Sequence, residues 1–287
     1  MIKKNIFKRC LAGALSFAMA VTLYPANALG TAKAADDAPT PALHYDMSHA
    51  DGKLTDVSGN SHHGTLKNFA DADFSAGNEG NMLNFDGSEK YVEIPSGVIK
   101  GEGKESFTLE ATYMNNTQSA AWLLTLGTTV GEYPKVNNYL FVAPSTGDYS
   151  GKMMGAIKDG EKELRSDKET AIAGENEGKN IVTVVFDKGN VTYYLNGLKA
   201  KTTESGYKIQ DMLNANSTDA CIGYIGKSLY KPDPYFKGAL LDFKVYESAL
   251  TEEQVAGSHQ EIASALEAPA AAKVNEVKDK ILPLMLN

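Results

Sequence analysis

Apolar and polar residues alternate most clearly near the end of the chain. In Ala239 to Tyr246, Leu241, Phe243 and Val245 fall on one side of an extended backbone, with Leu240, Asp242, Lys244 and Tyr246 on the other. A period of two predicts a β-strand. Tyr235-Phe236 and the turn signal Lys237-Gly238 precede it. Thr251, followed three residues later by Gln254, is a capping-box pattern that predicts a short helix. Asp242 does not suit a buried strand, because an unpaired buried charge is costly. It needs a partner, and a cation is one.

The same alternation recurs at short spacing. It predicts strands at 43–47, 65–69, 82–85, 90–94, 106–114, 122–126, 139–143, 153–158, 180–186, 191–195, 198–201 and 220–223. Thr108 to Tyr113 alternates between a face that reads as buried and one that reads as wet. Asp187-Lys188-Gly189-Asn190 and Asn196-Gly197 are hairpin signals. Residues 48–64 read as an Asp-, Gly-, Ser- and Asn-rich loop, and 211–214 as one helical turn. Many short strands punctuated by Gly and Asn predict a sandwich, and no fixed repeat period points to a propeller or solenoid.

Both ends depart from this pattern. Lys3, Lys4, Lys8 and Arg9 precede an apolar run from Leu11 to Leu23, too short for a comfortable membrane span. Residues 1–34 therefore read as a secretory signal, cleaved after Ala28 or, preferably, Ala34. Residues 35–42 form a Pro- and Ala-rich flexible leader. Residues 257–287 have helical spacing at Val274, Val277 and Ile281, with Pro269 separating two helices. They predict a helical tail or a linker to something further.

Charge narrows the function. The chain carries 28 Lys and Arg against 36 Asp and Glu. Without the five basic residues of the first 34, 23 face 36, a net charge of −13. Arg165 is then the sole arginine. Nucleic acid and anionic membrane are disfavoured as partners; a neutral partner or a cation fits better. Cys221 is left alone after cleavage, so no internal disulfide forms, and it reads as a small core residue.

Three motifs carry a family resemblance: Tyr45-Asp46 followed by Asp56-Val57-Ser58-Gly59-Asn60 to Gly64; Leu83 to Pro95; and Phe236, Gly238, Leu241-Asp242, Tyr246 and Ala249-Leu250-Thr251 to Gln254. Together they resemble LamG-like jelly-roll domains of the concanavalin A-like lectin/glucanase superfamily, over residues 43–256. The resemblance implies an all-β, two-sheet antiparallel jelly-roll sandwich with short C-terminal helices. It also implies that the first and last strands are neighbours, bringing Asp46 and Asp242 to the same end. LamG-like domains commonly hold a structural calcium there, with Asp46, Asp242 and Asn60 as the implied ligands. The alternative is that the two aspartates hydrogen-bond loop amides. Asp56 reads as an Asx-type cap of its own turn. The adjacent His62 and His63, with His44 and His49, read as packing residues, since no set completes a zinc site.

No catalytic residues are assigned. Glucanases of this fold carry paired carboxylates on one strand, and that spacing is missing here; Glu110 stands alone on its strand. Sugar binding would use exposed rings, and the loop candidates are Tyr133, Tyr149, Tyr230 and Tyr235, with Trp122 more core-like. The resemblance implies a secreted, non-catalytic carbohydrate-binding module of a bacterial polysaccharide-degrading system. It resembles the N-terminal modules of secreted arabinan- and arabinofuranoside-degrading glycoside hydrolases. Its partners would be a polysaccharide or glycan, and a catalytic glycosidase domain or other cell-surface modules. The rival readings are a structural spacer or adhesion module, and a glycoside hydrolase whose catalytic residues follow no recognised pattern.

Overall fold

The structure is a computed structural model. It describes residues 39–77, 80–99, 104–116, 120–129, 136–146, 148, 152–159, 162–166, 178–208, 222–230 and 232–260. The expected signal segment, the 211–214 turn, Cys221, and the tail beyond 260 lie outside the described residues.

Among the described residues the fold has sixteen strands. They are β1 (Leu43–Ala50), β2 (Lys53–Asp56), β3 (Gly64–Lys67), β4 (Phe74–Gly77), β5 (Gly80–Asp86), β6 (Tyr91–Ile94), β7 (Ser106–Asn115) and β8 (Leu124–Thr129); then β9 (Val136–Thr146), β10 (Lys152–Asp159), β11 (Lys162–Arg165), β12 (Lys179–Asp187), β13 (Asn190–Leu195), β14 (Leu198–Glu204), β15 (Ile222–Ile225) and β16 (Lys237–Tyr246). Residues 252–260 form helix α1. Among the described residues every strand pairing is antiparallel.

One hydrogen-bonded path runs β11-β10-β9-β8-β15-β6-β3-β2-β1-β16-β7-β12-β13-β14. It folds over at β2, so that a first sheet (β11 to β3) faces a second (β1 to β14). The closeness of the layers shows at Gly155 on β10. A Cβ there would lie 2.2 Å from the Tyr193 ring on β13, so only glycine fits. Between the sheets lies one core. Leu109 and Tyr113 of β7, Val184 and Phe186 of β12, and Leu124, Leu140 and Val142 of β8 and β9 all belong to it. Burying each such side chain stabilises by about 1.5–3 kcal/mol.

The two hairpins form as their sequences predict. Lys188-Gly189 and Asn196-Gly197 both have positive φ (49° and 87°; 53° and 74°), the backbone that a tight turn between twisted strands requires. The capping box also forms. Thr251 N donates to Gln254 Oε1 at 2.9 Å, and Gln254 N donates to Thr251 Oγ1 at 3.2 Å. Ala42, at the end of the expected leader, is already tied to the last strand: its N donates to Val245 O at 2.7 Å.

Three features differ from what the sequence predicts. First, β16 begins at Lys237 and contains a bulge. Leu240 pairs with Tyr113 and Asp242 with Thr112, leaving Leu241 as an extra residue. The bulge resets the alternation, so Leu240, not Leu241, joins Phe243 and Val245 in the core. Second, the wet-looking face of β7 is dry. Thr108, Glu110 and Thr112 are 0%, 3% and 6% exposed. The segment after β16 covers them: Thr108 Oγ1 donates to Ser248 O, and Leu250 N donates back to Thr108 Oγ1. Third, three strands have no counterpart in the alternation. β2 lies within the stretch that reads as a loop, where Leu54 is fully buried; β4 and β11 are four residues each.

Candidate functional site

The outward side of the first sheet is the aromatic part of the surface. On β6, Val92 and Ile94 enter the core, so Tyr91 and Glu93 point out. Tyr224 of β15 lies directly across from Glu93, and Thr125 and Phe141 continue the row onto β8 and β9. Trp122 stacks on Phe141 with ring centres 3.8 Å apart. Tyr139, Met154, Ala156 and Leu229 complete a small apolar cluster beneath Tyr224 and Tyr230.

A loop at 226–236 folds over this face and is tightly tied. Gly226 N donates to Leu123 O, and Phe236 N donates to Gly226 O. Thr125 Oγ1 donates to Lys227 O at 2.7 Å. Ser228 Oγ donates to Asp233 at 2.6 Å and accepts from Tyr230 N at 3.0 Å. Burial pushes the Asp233 pKa up, against the pull of Ser228. A loop fixed in this way holds its side chains in place before any ligand arrives, which lowers the cost of binding.

Both tyrosines expected from this loop lie on that face, in two neighbouring groups. Tyr230 meets Trp122 and Tyr139 edge-on, at 5.8 and 5.9 Å. Tyr235 lies 6.2 Å from Tyr91, which meets Tyr224 edge-on at 5.4 Å. Lys227 Nζ sits between these last two rings, 4.1 Å from the centre of Tyr91 and 4.7 Å from that of Tyr224. Burial lowers the Lys227 pKa, Glu93 draws it up, and Lys67 pushes it down. Lys67 and Glu93 pair at 3.0 Å. All six of these residues are half-buried. The group therefore offers tyrosine rings, a cation held by π faces, and one carboxylate. Tyr91 and Glu93 lie within the Leu83 to Pro95 motif, and the 90–94 alternation sets both outward, but the sequence names neither them nor Tyr224 and Lys227 as binding residues. Tyr133 and Tyr149 lie outside the described residues.

Two of the implied calcium ligands, Asp46 and Asp242, lie on neighbouring strands. β1 and β16 are antiparallel neighbours, with Tyr45 opposite Phe243; Asp46 follows the first of these and Asp242 precedes the second. Their oxygens are engaged within the protein. Asp242 contacts His44 Nε2 at 2.7 Å and Lys244 Nζ at 3.1 Å, and Asp46 accepts from Ser48 N at 2.9 Å. Asn60 presents its amide NH₂, donating to Ala42 O and Ser58 Oγ. Among the described residues, no three of His, Cys, Asp and Glu gather as a metal site. Calcium takes six to eight oxygens, and this set does not fit it: a cation at Asp242 would have to displace an ammonium.

Asp56 organises the neighbouring loop. It accepts from His44 N, Ser58 N and His62 N at 2.9–3.0 Å. Burial alone would raise its pKa, but these donors outweigh it and hold the carboxyl below its usual value. His63 Nδ1 accepts from Asp56 N, and His44 pairs with Asp242, so these histidines take packing and hydrogen-bonding roles.

The second sheet has an outward face of another kind. Glu110 on β7 accepts from Thr183 Oγ1 at 3.2 Å and has Lys244 Nζ at 4.0 Å, and the Ser258 hydroxyl of α1 lies close enough to affect its titration. Its pKa is raised, first by burial and further by Asp242, with Lys244 and the hydroxyls pulling down. Glu110 and Asp242 are thus two carboxylates on adjacent strands, but Glu110 is sealed under α1 rather than open to a sugar. Arg165 is occupied as well, pairing with Glu163 and Asp148.

With this geometry in view, comparison with known proteins gives a consistent result. The family profile Laminin_G_3, described as the concanavalin A-like lectin/glucanases superfamily, matches residues 86–256. No curated protein sequence matches the chain. Among solved structures, domain 4 of AbnA, a GH43 extracellular arabinanase from Geobacillus stearothermophilus in complex with arabinotriose, superposes with a TM-score of 0.58 at 19% identity. That match covers 76% of this chain and 97% of the domain. The binding domain of Paraclostridial Mosquitocidal Protein 1 gives 0.52 at 14% identity, covering 78% of this chain. The binding domain of botulinum neurotoxin serotype D/C gives 0.51 at 12%, covering 77%. The chain spans about half, 52%, of each of these two toxin chains. At such identities the likeness is one of fold. The profile covers more than half of the sequence, and the chain belongs to the concanavalin A-like lectin/glucanase superfamily.

Proposed function

We propose that the protein is a carbohydrate-binding module that attaches a secreted polysaccharide-degrading system to its substrate. The observation that carries this reading is the Tyr91–Tyr224–Tyr235 group around Lys227. Sugars present flat C–H faces that stack on aromatic rings, and hydroxyls that need donors and acceptors around them. Lys227 has three N–H donors and, among the described residues, no carboxylate within ion-pair distance; Glu93 supplies an acceptor beside it. The solved arabinanase domain, crystallised with arabinotriose, supports a sugar as the class of ligand on this fold. Attachment to an insoluble polymer raises the local concentration of any linked glycosidase. The protein itself then needs no catalytic pair, in keeping with Glu110 being sealed.

Affinity electrophoresis through gels containing arabinan, arabinoxylan, fructan or pectin tests this. Retardation by at least one polymer is expected. A folded protein retarded by none would overturn the reading in favour of a spacer or adhesion module. Running the gels with calcium and with chelator tests the cofactor that the resemblance implies. An extracellular calcium site has a Kd of about 10⁻⁴–10⁻³ M. At calcium about tenfold above Kd it would add about 1.4 kcal/mol of stability. Because Asp242 is already paired, equal melting temperatures and equal retardation are expected in both conditions; a drop in either with chelator would establish the calcium.

A further inference from the structure

A cleft of about 320 Å³ opens where the β1–β2 turn meets the short 3-10 turn at Asp71–Asp73, and it shares no lining residue with the aromatic group. This volume is at the low end for small-ligand pockets, about 300–1,000 Å³. The His49 ring lies flat on Phe74, centres 3.4 Å apart and planes within 10°. Phe69 and Leu66 add further apolar surface to the lining. Asp51 and Asp71 bring carboxylates. Asp71 is fully exposed, and the His49 imidazole Nε2 lies 3.9 Å from its carboxylate. Among the described residues, no lysine or arginine lines the cleft.

We propose that this cleft is a second sugar subsite, taking one or two units of a neutral saccharide. This rests on the reading of the chain as a glycan-binding module. The lining combines an aromatic surface for a sugar's C–H face with acceptors for its hydroxyls, and offers no lysine or arginine among the described residues to an anion. A sugar's hydroxyls are donors that two carboxylates can receive. A uronate of the same size brings a negative charge towards two others and is excluded. Carbohydrate pockets need little more than a few oriented polar groups over an aromatic floor.

Protein NMR on the full-length chain tests this, with arabinotriose, cellotriose and glucuronate as probes. At least one neutral trisaccharide is expected to shift the Asp51, Gly52 and Asp71 amides and the His49 ring protons, and glucuronate to leave them unmoved. Asp71→Asn with Asp51→Asn is expected to weaken that binding about tenfold, the scale of losing hydrogen bonds to charged acceptors. These side chains are exposed, so the double variant keeps its fold. Phe74→Ala tests the floor separately. Neither trisaccharide moving the cleft signals, glucuronate moving them equally, or the double variant binding as tightly as the parent would each overturn the proposal. Retardation in polysaccharide gels without cleft shifts rejects the cleft alone; loss of both rejects the module reading with it.

Discussion

On one outer face of the sandwich a glutamate is sealed beneath a helix. On the other, a lysine rests between two tyrosine rings, with no carboxylate of the described residues close enough to receive it. Both faces are built from antiparallel strands with alternating side chains, so strand chemistry alone does not separate them. What separates them is the segment that follows. After β16 the chain turns back over its own sheet. Val185, Tyr194, Tyr246, Leu250 and Val255 form a second small core there, and Glu110 is trapped as a consequence. After β15 the chain also turns back, but the 226–236 loop carries polar and aromatic residues and leaves tyrosine rings half-open. Covering a face stabilises the fold, while leaving rings and donors partly exposed prepares a surface for a ligand.

Three substitutions test this contrast. The largest effect is expected from Val255→Asp. Val255 is 1% exposed, and a carboxylate placed there has no partner, so about 3 kcal/mol or more of stability should be lost. A urea melt measures it, and an unchanged midpoint would mean that α1 does not close this face.

Glu110→Gln comes next, with the opposite sign. The folded pKa of Glu110 is raised above its usual 4.5, so the folded state holds this proton more tightly than the unfolded chain. Its contribution to stability is complete below pH 4.5. It is lost as pH climbs through the raised folded value. The glutamine keeps an acceptor for Thr183 and removes the titration. The variant is expected to match or exceed the parent at neutral pH, by about 1 kcal/mol, and to show a flatter stability profile above pH 4.5. A variant that is less stable at neutral pH would show that Lys244 outweighs burial.

Tyr235→Ala is expected to change stability least. It should leave the melting temperature near that of the parent and weaken polysaccharide retardation about two- to tenfold, the range for one aromatic contact. Full retardation in this variant would move the binding surface off the Tyr91–Tyr235 group.

Much of the fold is legible in the sequence. The longer strands, β1, β7, β9, β10, β12, β13 and β16, alternate over five or more residues, enough to fix both their existence and their facing. Tyr230 and Tyr235 stand out because a Tyr- and Pro-rich stretch cannot be a strand and must cross the surface. β2, β4 and β11 do not, since each carries a single large apolar residue (Leu54, Phe74 and Leu164) and so no alternation to distinguish a strand from a loop. The facing of Leu240 is hidden by the bulge at Leu241, which depends on how β7 and β16 pair. The dryness of Glu110 is hidden for a similar reason: the covering residues lie more than a hundred positions away, at Ser248 and Ser258. Asp242 reads as a carboxylate in need of a cation, and its partners are His44, distant in sequence, and Lys244, two residues on.

The pairing of β1 with β16 has a consequence for how the molecule is made. Leu43 and Val245 lie side by side in the sheet, yet about two hundred residues separate them in the chain. β16 also pairs with β5 and β7, so it is a middle strand that arrives last. Until Tyr246 has been synthesised, β1, β5 and β7 each wait with an open edge, and no earlier fragment can complete the second sheet. Folding must therefore be a late, long-range event, slow in the way that high contact order makes sheets slow. An interrupted chain would present three unpaired, apolar edges to its neighbours, the condition under which β-proteins aggregate.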